Sequence, residues 1–370
     1  MNQRVNTDRA LTLGHAGSFS IAEAAQRGAA APGAQPARRV SPSAIGYLFA
    51  VAGLTWVLHD LHPAQLAAQL RHVNWSWIVA GMLCDVLSYL CQGWRWKLLL
   101  RPAGEISARQ STQVVYVSLF VNEVLPMRAG ELVRAYLAAR WTGATMLAIV
   151  PSMIVERLFD GLWMTIGLAT AACFIPLPGS LRATAQTFGL MMLMATTLLI
   201  ALAFRKSAST PQTSRLMNWP PLHSLALMLE RISHHLTRMR RAPGFYRALL
   251  LSLAFLGLQM LAFWMVLIGY GLRVPWQVAV VVFLIVHLST AIPSAPGNAG
   301  SYQFFTVLGL TLFGVDKALA TGFSLVVFVL LTAPLLLVGF VALAHSGMTL
   351  HSLRQEISAT ATRWRQARAF

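Results

Sequence analysis

Apolar residues in this chain come in long, nearly unbroken runs. The spacing is neither the three-to-four-residue period of a surface helix nor the alternation of a half-buried strand. Runs at 45–61, 75–100, 144–175, 186–204, 248–270 and 322–345 match the roughly 17–25 residues that a helix needs to cross a bilayer. Two more apolar stretches, 111–139 and 276–313, are split near their middles by Pro/Gly clusters. Broken helices at bilayer depth are tolerated only where protein or a cavity surrounds them. The pattern therefore predicts an all-α polytopic membrane protein with about six full transmembrane helices. Two oppositely oriented re-entrant helical hairpins complete it.

Composition agrees. Hydrophobic residues make up 56% of the 370 and charged residues 11%, against roughly 25% charged in a soluble domain. A formal net charge of +17 would suit nucleic acid if it clustered on one soluble face, but here the basic residues lie between apolar runs. With both hairpins re-entrant and the N-terminus cytoplasmic, most of the 29 Lys and Arg fall on the cytoplasmic side, Arg95, Lys97 and Arg101 among them, as the positive-inside rule requires. The expected organisation is a disordered basic tail over 1–44, a transmembrane domain over 45–347 with a basic cytoplasmic loop at 205–247, and a basic cytoplasmic tail over 348–370. No apolar core precedes Ile45, which argues against a cleavable signal peptide. The location expected is a bacterial inner membrane, with both termini cytoplasmic.

The acidic residues are placed the other way. Asp85, Glu123, Glu131, Glu156 and Asp160 fall inside apolar segments, where an ionisable group usually marks a pathway or a partner. Asn122, Glu123, Pro126, Arg128, Gly130, Glu131 and Arg134 form the first constellation. The Leu-Pro step should break the helix, and a second helix would then begin with its N–H groups pointing into the membrane, an anion site in waiting. Arg128, Glu131 and Arg134 follow at spacings of three, within pairing reach on one side, so Glu131 can hold one arginine while another binds phosphate. Glu156, Arg157 and Asp160 form the second constellation, on the helix after it. The third lies around Pro293, Pro296, Gly297, Asn298, Gly300 and Gln303, where a small-residue turn would let a headgroup approach the backbone closely. The first two clusters could instead serve only to fasten helices together, and the third could be an ordinary extracellular turn.

No cofactor or metal framework is expected. Cys84, Cys91 and Cys173 match no ligand spacing, and His287 reads as an interior histidine rather than a ligand. Nucleotide loops, nucleophile elbows and dinucleotide fingerprints are missing from the sequence. The order of spans around the two hairpins suggests an inverted repeat, and paired interrupted segments in matching positions point to a midplane transport site.

The chain resembles the lysylphosphatidylglycerol synthase transmembrane-region family, the flippase-like integral membrane proteins. The resemblance covers about residues 45–345. It rests on Gly93-Trp-Arg-Trp-Lys-Leu-Leu99, on Asn122-x-x-x-Pro-x-Arg-x-Gly-Glu131-x-x-Arg134, on Glu156-Arg157-x-x-Asp160 and on Pro293-x-x-Pro-Gly-x-x-Gly300. It implies a protein that moves or handles lipids, aminoacylated phospholipids included, with relatives in hopanoid and isoprenoid-lipid pathways. Two positions depart from the pattern. Asn298 stands where many members have a second glycine, and Gln303 where many have Glu. A soluble aminoacyl-transfer domain is lacking. The resulting expectation is a lipid translocase that is not an enzyme. Membrane lipids with a phosphate-linked, anionic headgroup would be its partners, with no nucleic acid, beside an enzyme of lipid biosynthesis. Substrate contacts would come from Asn122, Glu123, Arg128, Glu131, Arg134, Glu156, Arg157, Asp160, Asn298 and Gln303. A membrane-embedded enzyme with Glu123, Glu131 or Asp160 as acid or base, and a non-catalytic scaffold, are the alternatives.

Overall fold

The structure is a computed structural model. It describes residues 42–59, 63–125, 128–175, 244–290 and 295–348, with scattered positions between 179 and 238. Among the described residues all regular structure is helical. The expected run at 186–204 and loop at 205–247 are described only at scattered positions, and most of the two tails lie outside the described residues.

Helix α1 spans Pro42–Leu58 and begins inside the segment expected to be a tail, with a proline at the first helical position, where its missing N–H costs nothing. A short helix that the apolar pattern did not signal, α2, spans Pro63–Arg71. Then come α3 (Trp75–Leu100), α4 (Ala108–Val124), α5 (Ala129–Thr142) and α6 (Met146–Phe174). The second half contains α7 (Gly244–Tyr270), α8 (Trp276–Ser289), a short 3-10 turn at Pro296–Asn298, α9 (Ser301–Leu312) and α10 (Lys317–Ala344). Helices α7 and α10 are long and apolar enough to cross a membrane, and α8 and most of α1 are shorter apolar helices.

Helix α3 shows why the chain needs an apolar surrounding. Asp85, Ser88, Gln92 and Arg95 are on its buried face, whereas Val79, Leu83, Leu87, Leu90 and Trp94 are exposed at spacings of three and four that form one stripe. Polar residues inside and a large apolar stripe outside reverse the order of a water-soluble helix. Lipid is the solvent this face fits.

Both broken stretches fold back on themselves. Helix α4 starts with a capping box, in which Gln110 N–H donates to Ser107 Oγ at 3.1 Å and Ser107 N–H to Gln110 Oε1 at 2.9 Å. It stops at Leu125, whose N–H still reaches Val121 O. Pro126 lies outside the described residues. Arg128 caps α5 in a left-handed conformation, φ 53°, which a non-glycine residue adopts only at some cost. Gly130 N–H then donates to Asn122 Oδ1 at 2.8 Å, and the missing Cβ of Gly130 lets α5 lie directly on Ser118 O. In the second pair Gly309 of α9 packs on Val282 of α8. Pro293 is outside the described residues, and Pro296 opens the 3-10 turn. Gly300, at φ 85°, takes the close approach of the Ala50 backbone from α1, where any Cβ would collide.

The packing partners repeat between halves. Helices α3 and α7 pack along their length, α4 packs on α10 as α8 packs on α6, and α3 contacts α10 as α7 contacts α6. Within the halves, α4·α5 matches α8·α9 and α5·α6 matches α9·α10. Helices α3 and α7 run antiparallel: Asn74 N–H donates to Gly269 O at 2.8 Å at one end, and Leu98 contacts Gly244 near the other. Exchanging the halves therefore reproduces the packing with the chain direction reversed, which is what an inverted repeat produces.

Candidate functional site

Four helices meet at a buried ionic cluster. Arg95 of α3 is fully buried. Its Nη2 donates to Glu156 Oε1 at 2.6 Å and to Asp160 Oδ2 at 3.3 Å. Its Nη1 donates to Asp160 Oδ1 and, at 3.1 Å, to Ser252 Oγ of α7. Arg134 of α5 grips Glu156 with both terminal nitrogens, at 3.3 and 2.5 Å, and Gln92 Nε2 donates to Glu156 Oε1 at 2.9 Å. The guanidinium faces are also occupied: Arg134 lies 4.1 Å from the centre of the Trp96 ring and Arg95 4.9 Å from that of Phe255. Two arginines and two carboxylates balance in charge, which is what makes burial affordable at this depth.

Beside the cluster is a cavity of about 200 Å³, bounded by both hairpins and by α3, α6, α7 and α10. The hairpin tips touch there. Arg128 Nη1 donates to Thr290 O at 3.0 Å, and the Glu123 carboxylate lies against Gly297, where a side chain would displace it. Glu131 is the hub of the cationic wall. Arg157 Nη2 donates to its Oε1, and Arg128 Nη2 stands 3.7 Å from the same oxygen. Arg157 also stands 4.0 Å from Asp160. The Arg157 and Arg128 side chains remain 47% and 35% exposed, so their forks have nitrogen atoms to offer a guest.

The expected residues separate into two groups. Asn122, Glu123, Arg128, Glu131, Arg134, Arg157 and Asn298 line the cavity, and Pro126 falls outside the described residues. Glu156 and Asp160 stand behind the wall in the ionic cluster. Arg134, expected beside Arg128 at a phosphate, reaches the cavity but is only 3% exposed with both terminal nitrogens on Glu156, and Arg157 is the more open cation. Gln303, expected to read a headgroup, instead accepts the Gly300 N–H at 2.7 Å and caps α9. Arg95, counted with the cytoplasmic arginines, is instead fully buried within helix α3, because Glu156 and Asp160 of α6 pair with it there. Asp85, Tyr89, Gln92, Gln259 and His287 also line the cavity. Only Asp85 carried a signal, as an acid inside an apolar run; each of the others is a single polar residue whose neighbours become visible only on packing.

The family model of the lysylphosphatidylglycerol synthase TM region matches residues 43–339, which include every residue that lines the cavity. The chain belongs to that family. As a member, it is similar to the UPF0104 membrane protein of Methanothermobacter thermautotrophicus, 22% identical over 305 residues that cover 76% of this chain and 86% of the relative. It is also similar to glycosyltransferase AglD of Haloferax volcanii, 30% identical over 124 residues. That match spans 33% of this chain and 20% of the glycosyltransferase. Family membership and the reversed polarity of α3 together make this a helical membrane protein.

Proposed function

We propose that this protein carries a lipid with a phosphate-bearing headgroup across the cytoplasmic membrane, with both termini on the cytoplasmic side and the two hairpins re-entrant from opposite faces. One observation carries the reading: the tips of two broken helix pairs meet at a polar cavity whose open wall is Arg128 and Arg157. Both arginines share Glu131 as a resident anion. A phosphate offers the same planar pair of acceptors to a guanidinium fork, so a headgroup can take over contacts that Glu131 holds in its absence. The acyl tails stay in the bilayer while the headgroup passes between the hairpins. Asn122 and Asn298 would contact the headgroup from opposite tips.

The test is transport by the purified protein in liposomes, using a leaflet-specific assay of labelled phospholipid. Wild type should speed exchange between leaflets, and Arg128→Gln and Arg157→Gln should slow it severalfold while remaining folded. Exchange at the wild-type rate in both variants would make these arginines fasteners of the hairpin. The glycosyltransferase name of one partial relative favours a second reading, a membrane-embedded step on a lipid carrier. Cells lacking the protein would then lose a lipid species, whereas transport predicts an unchanged set of lipids with an altered leaflet distribution.

A further inference from the structure

Three buried oxygen atoms of residues lining the cavity on α3 and α7 accept no hydrogen bond. Asp85 is 4% exposed and Gln259 8%, and no partner reaches Asp85 Oδ2, Gln92 Oε1 or Gln259 Oε1. All three residues line the cavity. The orientation of the Gln92 amide is settled, because its Nε2 is used on Glu156 and its oxygen must point the other way. The antiparallel register of α3 and α7 carries Asp85 to the level of Gln259: Gly81 packs on Ala262 and Val266, Cys84 on Met265, and Tyr89 on Phe255. The acids of the ionic cluster each have an arginine. Asp85 has none among the described residues.

A buried acceptor without a donor is costly, and a buried carboxylate without a counter-charge is costlier still. A single proton eases both. On Asp85 Oδ2 it neutralises the charge and adds an O–H donor where α3 meets α7 at the level of Gln259. Asp85, Tyr89 and Gln92 occupy positions i, i+4 and i+7 of α3, one face of the helix, and this face extends along the cavity to Glu156.

We propose that Asp85, paired with Gln259, is the loading site for a proton that travels with the lipid. The proton binds Asp85 from water entering the cavity while the site faces one side, and it leaves to water on the other side once the halves have exchanged. No bond other than O–H is made or broken. A headgroup phosphate carries one negative charge, so the loaded protein crosses the membrane potential as a neutral pair. The groups that could compete for the proton are Tyr89 on the same helix, Tyr116 and Glu123 from α4, His287 from α8 and Tyr302 from α9. Arg128 and Arg157 line the same cavity. Glu123 is the nearest in kind, but its carboxylate sits at the junction of the tips against Gly297, where proton loading would be tied to tip contact.

This inference rests on the transport reading, and two arms separate their failures. In proteoliposomes, a pH gradient should change labelled-lipid movement severalfold for wild type and Asp85→Glu, and the response should be lost in Asp85→Asn. A sodium or potassium gradient should have no such effect. Lipid movement by wild type that ignores pH, or an Asp85→Asn loss confined to lipids with a free amine, would overturn the proton assignment and leave transport intact. The second arm needs no transport. Infrared difference spectra of the purified full-length protein between acid and alkaline buffer should contain a protonated-carboxyl band that is missing in Asp85→Asn. If wild type lacks that band, the inference fails even when lipid moves.

Discussion

Arg128 and Arg134 lie six residues apart and do different work. Arg134 holds Glu156 inside a balanced cluster, so Arg134→Gln leaves a buried carboxylate short of a partner, a loss of about 3–5 kcal/mol. A lowered melting temperature in detergent is the check, and poor expression should accompany it. Arg95→Met should be as damaging for the same reason. Arg95→Met with Asp160→Asn restores the charge balance and should melt higher than Arg95→Met alone, a coupling that a double-mutant cycle would measure. Arg128 is part-exposed, so Arg128→Gln should leave the stability within about 0.5 kcal/mol of wild type, as surface changes usually do, while lipid exchange falls further than with Arg128→Lys. Glu131→Gln removes the resident anion from two arginines. Lipid phosphate should then bind more tightly and leave more slowly, read as a lower Kd with a lower turnover.

The hairpins depend on close approach. Gly130 lies on the Ser118 carbonyl with no space for a Cβ, and overpacking a fitted contact typically costs about 1–3 kcal/mol. Gly130→Ala should lower the stability by that much, seen as a lower melting temperature, and slow exchange, because the Arg128 tip would be pushed off Thr290. Orientation can be tested at the ends of α3 and α7. Arg101 and Arg273 are both exposed, and they lie near opposite ends of this antiparallel pair. A cysteine replacing Arg273 should label with an impermeant reagent from outside, and one replacing Arg101 only after the membrane is opened. The reverse result would invert the topology.

Much of this architecture was legible in the residues, and the reasons differ by element. Apolar runs located α3, α7 and α10, and Pro/Gly clusters located both breaks, because length and backbone chemistry are local properties. The charged motifs on α5 and α6 stood out because ionisable groups are rare in such surroundings. Arg95 was misread since Trp94, Trp96 and Lys97 around it resemble the end of a span. Only the neighbouring helices reveal that its face is enclosed. Gln92 and Gln259 carried no signal, for a lone glutamine in an apolar run acquires meaning only from what the register of α3 against α7 sets opposite it. The two halves share no visible residue pattern, yet the packing partners of α3–α6 correspond to those of α7–α10.

That correspondence joins halves of unequal chemistry. The first hairpin carries Glu123, Arg128, Glu131 and Arg134, whereas 276–313 contains no Asp, Glu, Lys or Arg. Two identical halves would give inward-open and outward-open forms of equal energy. Here every Asp, Glu, Lys or Arg lining the cavity belongs to one half, so under the proposed transport the two forms would expose different electrostatics to water and one resting side would be preferred. A transporter built this way would behave as a rectifier. Its rates of loading from the two leaflets would differ even with no gradient present, and the bias would be written into the asymmetry of its side chains rather than into its backbone.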